Sequence, residues 1–142
     1  MLLRKSKIED LVWLREIAEL CFSETDEAAE LLFSKLWIPE NCYVAETENR
    51  ACAMAMALPL ELKTPERRVK AAYIYYVATH PEYQRQGIGS ALLKAIVDCY
   101  PNVRQIQLTT DCTEKTIAFY KSAGFIELSE IECCGFIKDR AL

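Results

Sequence analysis

The sequence predicts a single α/β domain, of the α+β kind, over residues 1–142. Three observations carry that expectation. A chain of 142 residues has the size of one domain built on one core. Its composition, 51% hydrophobic and 27% charged, is that of a globular chain and excludes disorder. Apolar residues alternate between helical spacing and strand-forming runs, so helices and strands interleave.

Residues 2–5 read as a first strand. Ser6-Lys7-Ile8-Glu9 has the form of a capping box, with Ser6 as N-cap and Glu9 three residues on. Ile8, Leu11, Val12, Leu14, Ile17, Ala18 and Cys21 then recur at three- and four-residue spacing, which predicts an amphipathic helix. A polar break at residues 23–26 precedes a second helix over about 27–36, ended by Ile38-Pro39-Glu40-Asn41. Residues 42–46 and 51–60 read as strands joined by Thr47-Glu48-Asn49-Arg50, a turn of hairpin length. The second of these is rich in Ala and Met, and only its neighbours identify it as a strand.

A charged loop over 61–70 leads to a strand at 71–79 centred on Tyr73-Ile74-Tyr75-Tyr76-Val77. His80-Pro81-Glu82-Tyr83 is a turn in which His80 reads as a structural residue. Ile88, Leu92, Leu93, Ile96, Val97 and Tyr100 mark a helix from 87 to about 100, stopped by Pro101-Asn102. Residues 103–109 form the next strand, and the strand-helix-strand unit has the length of a crossover between parallel neighbours. Asp111 with Glu114 is expected to cap a helix over 113–123, with Gly124 as its left-handed C-terminal residue. Strands over 125–130 and 132–138 close the chain.

The net charge of −4 and pI near 5.1 exclude the basic footprint of a nucleic-acid surface. The longest apolar run, residues 51–60, is too short to span a bilayer and contains Pro59. The opening residues contain no signal-peptide core. A soluble, cytoplasmic protein is therefore expected. Seven cysteines, with no Cys-x-x-Cys pair and with His80 as the only histidine, lack zinc spacing, so no metal is expected. The cysteines read as reduced, small apolar residues.

Between the tyrosine-rich strand and the following helix lies Gln84-Arg85-Gln86-Gly87-Ile88-Gly89. Two glycines two apart at a helix start leave backbone N–H groups free to converge on an anion, where the helix dipole adds to the attraction. Side chains at Gly87 and Gly89 would obstruct that approach. The donors expected are the N–H groups of Arg85, Gln86, Gly87, Ile88, Gly89 and Ser90. A dinucleotide fold would place a third glycine where Leu92 stands, and a P-loop would need Gly-Lys-Ser/Thr where Gly89-Ser90-Ala91 stands. The pattern by itself is equally that of a tight turn.

Residues 73–93 resemble the acetyl-CoA-binding motif of GCN5-related N-acetyltransferases, the GNAT family, whose pattern Gln/Arg-x-x-Gly-x-Gly/Ala is met by Gln84, Gly87 and Gly89. A second block, Ala118-Phe119-Tyr120-Lys121-Ser122-Ala123-Gly124-Phe125, resembles the family's Tyr-x-x-x-Gly-Phe signature. The order of elements fits over essentially the whole chain. The resemblance implies a mixed, mostly antiparallel twisted sheet of about seven strands, with strands four and five parallel and splayed, and about four helices. It implies acetyl-CoA as co-substrate, with backbone groups of Val77, Ala78 and Thr79 aligning the acetyl-pantetheine arm. Arg85 either meets a phosphate or is a solvated surface arginine. Thr113 stands where many members carry a cofactor-binding asparagine.

The reaction so implied is direct attack of an amine on the thioester. An alkylamine with a pKa of about 10.4 is only about one part in a thousand neutral near pH 7, so a base is useful. The departing thiolate, with a pKa near 8.5, needs an acid. Tyr120 matches the family tyrosine in that role. The base stays unassigned. The glutamate that some peptide-directed members carry twelve residues before the tyrosine is Leu108 here, while Glu46, Tyr75 and Tyr76 are candidates through water. Tyr73, Tyr75 and Tyr76 are also candidates to line an acceptor pocket. The acceptor expected is a primary amine of a small molecule, ahead of a protein N-terminus or lysine. Neither a nucleic acid nor a membrane is expected as partner, and a homodimer stays open. A non-catalytic acyl-CoA-binding sensor is the rival from another class.

Overall fold

The first strand, β1 (Leu2–Lys5), pairs antiparallel with β2 (Cys42–Thr47), and β2 pairs antiparallel with β3 (Arg50–Lys63). The computed structural model describes residues 1–23, 25–128 and 134–139. Its strands are hydrogen-bonded in the order β1-β2-β3-β4-β5-β7-β6, with β4 (Arg68–Thr79), β5 (Gln105–Thr110), β6 (Ile126–Leu128) and β7 (Cys134–Asp139) completing a seven-stranded sheet. Four helices of six residues or more accompany them among the described residues: α1 (Leu11–Phe22), α2 (Asp26–Leu31), α3 (Ile88–Cys99) and α4 (Glu114–Ser122). The expected fold class holds: a mixed sheet, antiparallel in the pairs β1/β2, β2/β3, β5/β7 and β6/β7, with β4 and β5 parallel. The chain divides into two compact units, one of Met1–Met56 with Tyr76–Ala95 and the other of Ala57–Tyr75 with Ile96–Leu142.

In the first unit the turn between β2 and β3 places Glu48 and Asn49 at φ 49° and 61°. Two successive left-handed residues give the twist that a two-residue hairpin needs. The stretch from Ala51 to Ala57 is buried without interruption, as befits alanine, cysteine and methionine in a strand covered on both faces. Helix α1 buries Leu14, Ile17 and Ala18, whereas Val12 is 61% exposed and Ile8, 70% exposed, lies in a 3-10 turn ahead of the helix, so the apolar stripe is narrower than the spacing predicts.

The capping box at Ser6 is not formed. The Ser6 N–H donates to the Cys42 carbonyl (2.8 Å), extending the strand pairing by one residue, and the Ser6 hydroxyl accepts from Trp37 Nε1 (3.2 Å). The chain therefore turns one residue later. Asp10 accepts the Lys7 N–H (2.7 Å) and receives both Nη atoms of Arg4 (2.8 Å each), while Arg4 Nε donates to Glu46 (2.7 Å). Burial pushes the Asp10 carboxyl up, but the hydrogen bonds and charges of Arg4 and Lys7 outweigh it and leave it below its ordinary value. Glu46 is thus committed to Arg4. The second helix covers the expected 27–36 but changes type along its length: α2 is capped by Thr25, whose hydroxyl accepts the Ala28 N–H (3.1 Å), and Leu32–Leu36 continues it as a wider π turn.

In the second unit the expected charged loop over 61–70 shrinks to a turn. Strands β3 and β4 extend through its flanks, and only residues 64–67 remain, closed by the Thr64 N–H on the Arg67 carbonyl (2.9 Å). β4 and β5 pair in parallel from Ala71↔Gln105 to Ile74↔Leu108. The ladder ends there, while β4 runs on to Thr79 and β5 to Thr110. On its other side β5 is antiparallel to β7, which also pairs with β6. The expected strand over 125–130 is observed as Ile126–Leu128, with residues 129–130 outside those described; that over 132–138 is observed as Cys134–Asp139, with 132–133 likewise outside.

Reduced thiols are found at Cys21, Cys42, Cys52 and Cys99, and burial raises the thiol pKa of the first three, Cys42 to about 11. Cys112 departs from the expectation, being disulfide-bonded. Sequence spacing carries no information on such a bond, because proximity in the folded chain decides it. Among the described residues no helix is long and apolar enough to cross a membrane, and no three His, Cys, Asp or Glu side chains are grouped to hold a metal ion.

Candidate functional site

Strand β4 ends at Thr79, and the eleven residues that follow, 80–90, are tied down by their own polar groups. His80 caps a single 3-10 turn (Pro81–Tyr83), its Nδ1 accepting the Glu82 N–H at 3.2 Å. A cap side chain followed by proline is a common way to start such a turn. Gln84 does not extend outward; its Nε2 donates back to the Thr79 carbonyl (3.0 Å), which also accepts from Cys21 Sγ (3.1 Å). Gln86 Nε2 donates to the Glu82 carbonyl (3.2 Å).

Arg85 and Gly87 lie in the left-handed region, at φ 60° and 76°. For arginine that conformation costs roughly 1–2 kcal/mol, so the flanking hydrogen bonds must hold it. A Cβ built on Gly87 would meet no protein atom within 4 Å. Within the chain, then, it is the positive φ that calls for glycine rather than a lack of space. The first helical hydrogen bond of α3 runs from the Ala91 N–H to the Gly87 carbonyl (3.0 Å). The N–H groups of Ile88, Gly89 and Ser90 therefore precede the ladder and are available to an outside acceptor. Ile88 is buried and anchors the helix start, whereas Arg85, Gln86, Gly87 and Ser90 are exposed. Val77 and Thr79 are half-buried and Ala78 is buried, at the end of β4 beyond the last pair with β5. This donor set, on a helix of twelve residues, fits a diphosphate.

The second unit holds the other candidates. Thr113 is the N-cap of α4, its hydroxyl accepting the Thr116 N–H (3.4 Å). Asp111, expected as the cap, instead braces Thr113, accepting from its N–H (3.2 Å) and its Oγ1 (2.9 Å). These bonds, the Thr113 hydroxyl first, hold the Asp111 carboxyl below the usual range. At the other end Gly124 takes φ 88°, and the Phe125 N–H returns to the Tyr120 carbonyl (3.1 Å). The Gly-Phe pair is thereby explained as a helix stop that brings Phe125 back onto α4.

Tyr120 is buried, only 6% exposed, with its ring edge-on to Phe119 (5.0 Å between centroids) and Phe125 (6.0 Å). Burial first, and the Asp111 charge second, push its phenol up to about 12. Tyr73 and Tyr75 stack with centroids 6.5 Å apart, and the Tyr73 hydroxyl bonds Thr109 Oγ1 (2.8 Å). In the first unit Tyr76 meets Phe22 edge-on at 4.8 Å. Leu108, at the position of the peptide-type glutamate, is buried.

A family model described as an acetyltransferase (GNAT) domain matches residues 3–126. The chain belongs to the GNAT family. Solved structures agree on the GNAT fold, at identities too low to carry more than the fold. A protein from Pyrococcus horikoshii aligns with TM-score 0.82 at 18% identity over 99% of both chains. An N-acetyltransferase from Staphylococcus aureus aligns with TM-score 0.77 at 17% identity, over 97% of this chain and 100% of its own. The NatC complex bound to Gag peptide and CoA aligns with TM-score 0.72 at 15% identity, over 99% of this chain and 98% of its own. No curated protein matches the chain. Two features of this GNAT site were missed from the residues alone: Gln84 turned back on Thr79, and His80 buried beneath the loop. The His-Pro pair signals a cap, but nothing in the sequence marks its burial.

Proposed function

We propose that the protein is an N-acetyltransferase that moves acetyl from acetyl-CoA to a primary amine of a small molecule in a ternary complex. The observation that carries the proposal is the loop: left-handed Arg85 and Gly87 lead directly into the twelve-residue helix α3, with the Ile88, Gly89 and Ser90 N–H groups ahead of its first hydrogen bond. In a GNAT chain this is the place for the coenzyme A diphosphate, with Arg85, Gln86 and Gly87 adding donors. Hydrogen bonds to a charged acceptor contribute roughly 1.5–3 kcal/mol each, so a few suffice to anchor it. Val77, Ala78 and Thr79 would hold the pantetheine arm by backbone groups, with Thr113 as a further contact.

The thioester supplies an activated acyl carbon. The amine nitrogen bonds that carbon as the C–S bond breaks; the nitrogen's surplus proton leaves to a base or water, and the sulfur takes one from Tyr120. With its phenol near 12, Tyr120 is fully protonated at neutral pH, so the proton is present to give. Giving it to a thiolate of pKa about 8.5 is roughly 5 kcal/mol uphill. The buried Leu108 leaves no carboxylate at the peptide-type position, which supports a small amine over a peptide. A cytoplasmic setting, no nucleic-acid or membrane partner, and an open question of homodimer pairing complete this reading.

The burial of Tyr120 also favours a second reading, a non-catalytic acyl-CoA sensor. One experiment separates the alternatives: acetyl-CoA offered with polyamines, amino acids, aminoglycosides and peptides, with release of free thiol followed. Transfer to small amines supports the proposal. Transfer confined to peptides assigns a protein or peptide acetyltransferase, and tight binding without transfer to any amine assigns a sensor.

A further inference from the structure

We propose that His80 is a positioning residue that holds the acyl-CoA loop in its binding shape, an inference that rests on the coenzyme A reading of that loop. His80 is 4% exposed at the junction of β4 and the loop. Its backbone N–H donates to the Cys52 carbonyl of β3 (2.9 Å), and its side-chain Nδ1 accepts the Glu82 N–H (3.2 Å). An Nδ1 that accepts carries no proton, so the neutral ring holds its proton on Nε2. That atom faces Glu16 Oε1 of α1 at 3.7 Å. Glu16 is in turn bound by Arg50 (2.8 Å), whose guanidinium lies 4.7 Å over the Trp13 ring. Tyr83 closes the remaining side, edge-on at 5.7 Å. His80 thus joins three elements, its backbone to β3 and its imidazole to α1 and to the start of the loop.

The consequence lies downstream. The turn capped by His80 ends with the Tyr83 N–H on the His80 carbonyl (2.8 Å) and the Gln84 N–H on the Pro81 carbonyl (3.3 Å). The next residue is Arg85, at φ 60°. A strained arginine persists only where its surroundings fix it, and the capped turn is the fixed point immediately before it. Loss of the Nδ1 acceptor would orphan the Glu82 N–H and loosen the turn. The N–H groups from 85 to 90 would then have to be ordered when the ligand binds, which lowers affinity without touching the acyl transfer itself.

Leucine and asparagine at this position separate positioning from packing. Leucine approximates the buried volume but offers no acceptor; asparagine is smaller but is a good cap. Binding of CoA to wild type, His80→Leu and His80→Asn is measured by titration calorimetry, with folding checked by thermal melts. The expected result is affinity weakened about tenfold in His80→Leu, the equivalent of one lost cap, and within about threefold of wild type in His80→Asn. In acetyl transfer the loss should fall on KM for acetyl-CoA, with kcat at saturation unchanged within about twofold. Equal binding by wild type and His80→Leu, or an asparagine variant as weak as the leucine one, overturns the role. Should His80→Leu fail to fold, His80→Ala against His80→Asn repeats the comparison, since both shrink the side chain and only one restores the acceptor. A wild-type protein that does not bind CoA overturns the reading of the loop itself, a result distinct from binding that the variants leave unchanged.

Discussion

Residues 79–90 and helix α4 carry the two halves of the proposed chemistry, and they are built in opposite ways. The loop ties itself down locally, with Gln84 bonded to the Thr79 carbonyl, Gln86 to the Glu82 carbonyl and His80 buried, and the N–H groups of Ile88, Gly89 and Ser90 lie ahead of the first hydrogen bond of α3. Helix α4 is started by hydrogen bonds among Asp111, Thr113 and Thr116, and it buries its one candidate acid among aromatic rings. A binding element needs donors in a fixed shape, and local hydrogen bonds can provide that. An acid–base element needs a tuned environment, and only packing provides it.

The largest test of the contrast is Tyr120→Phe. Turnover should drop by roughly 10²-fold while acetyl-CoA affinity barely moves. Steady-state kinetics beside CoA titration checks this, and an unchanged kcat would remove Tyr120 from the chemistry.

Alkaline stability sharpens the same point. The phenol stands at about 12 in the folded chain, against about 10 when unfolded. Between those values the folded state keeps a proton that the unfolded state has released, so stability falls as pH rises. The contribution is fully present below about pH 10 and gone above about pH 12. Denaturant melts across that window should show wild type losing roughly 2–3 kcal/mol more than Tyr120→Phe.

On the loop side, Gly87→Ala places a side chain at φ 76°, at a cost of roughly 1–2 kcal/mol. CoA affinity should fall about tenfold as the loop relaxes away from its binding shape, with kcat preserved at saturation. Titration calorimetry reads it, and undiminished affinity would break the claim that the left-handed turn matters for binding. The smallest effect expected is that of Thr113→Ala, which removes the α4 cap: about 1 kcal/mol of stability, or a few degrees in Tm by calorimetry. Should CoA affinity change as well, Thr113 touches the cofactor in addition to capping.

Much of this architecture was readable before the fold. The helical spacing of Leu92, Leu93 and Ile96, the Glu48-Asn49 turn and the Gly124 stop all act over a few residues, where sequence and conformation are tightly linked. Gly87 was singled out for the room it leaves an anion, whereas its φ of 76° came only with the fold, and Arg85 at φ 60° shows that a left-handed position need not be glycine. What was not readable depends on distant neighbours. Ser6 failed as a cap because Cys42, far along the chain, took its N–H. The charged residues around Glu61 and Lys70 became strand because β3 and β4 supply each other's extension. Cys112 entered a disulfide that no local pattern signals.

The sequence by itself determined the order of strands and helices, the glycine-containing loop ahead of α3 and the family to which the chain belongs. These depend on short-range periodicity, on glycine placement and on motif spacing. Only the tertiary structure decided that Tyr120 is buried with its phenol near 12, that Glu46 is committed to Arg4, and that His80 lies beneath the loop. Burial and charge are sums over neighbours brought together by folding, and no stretch of sequence contains those neighbours.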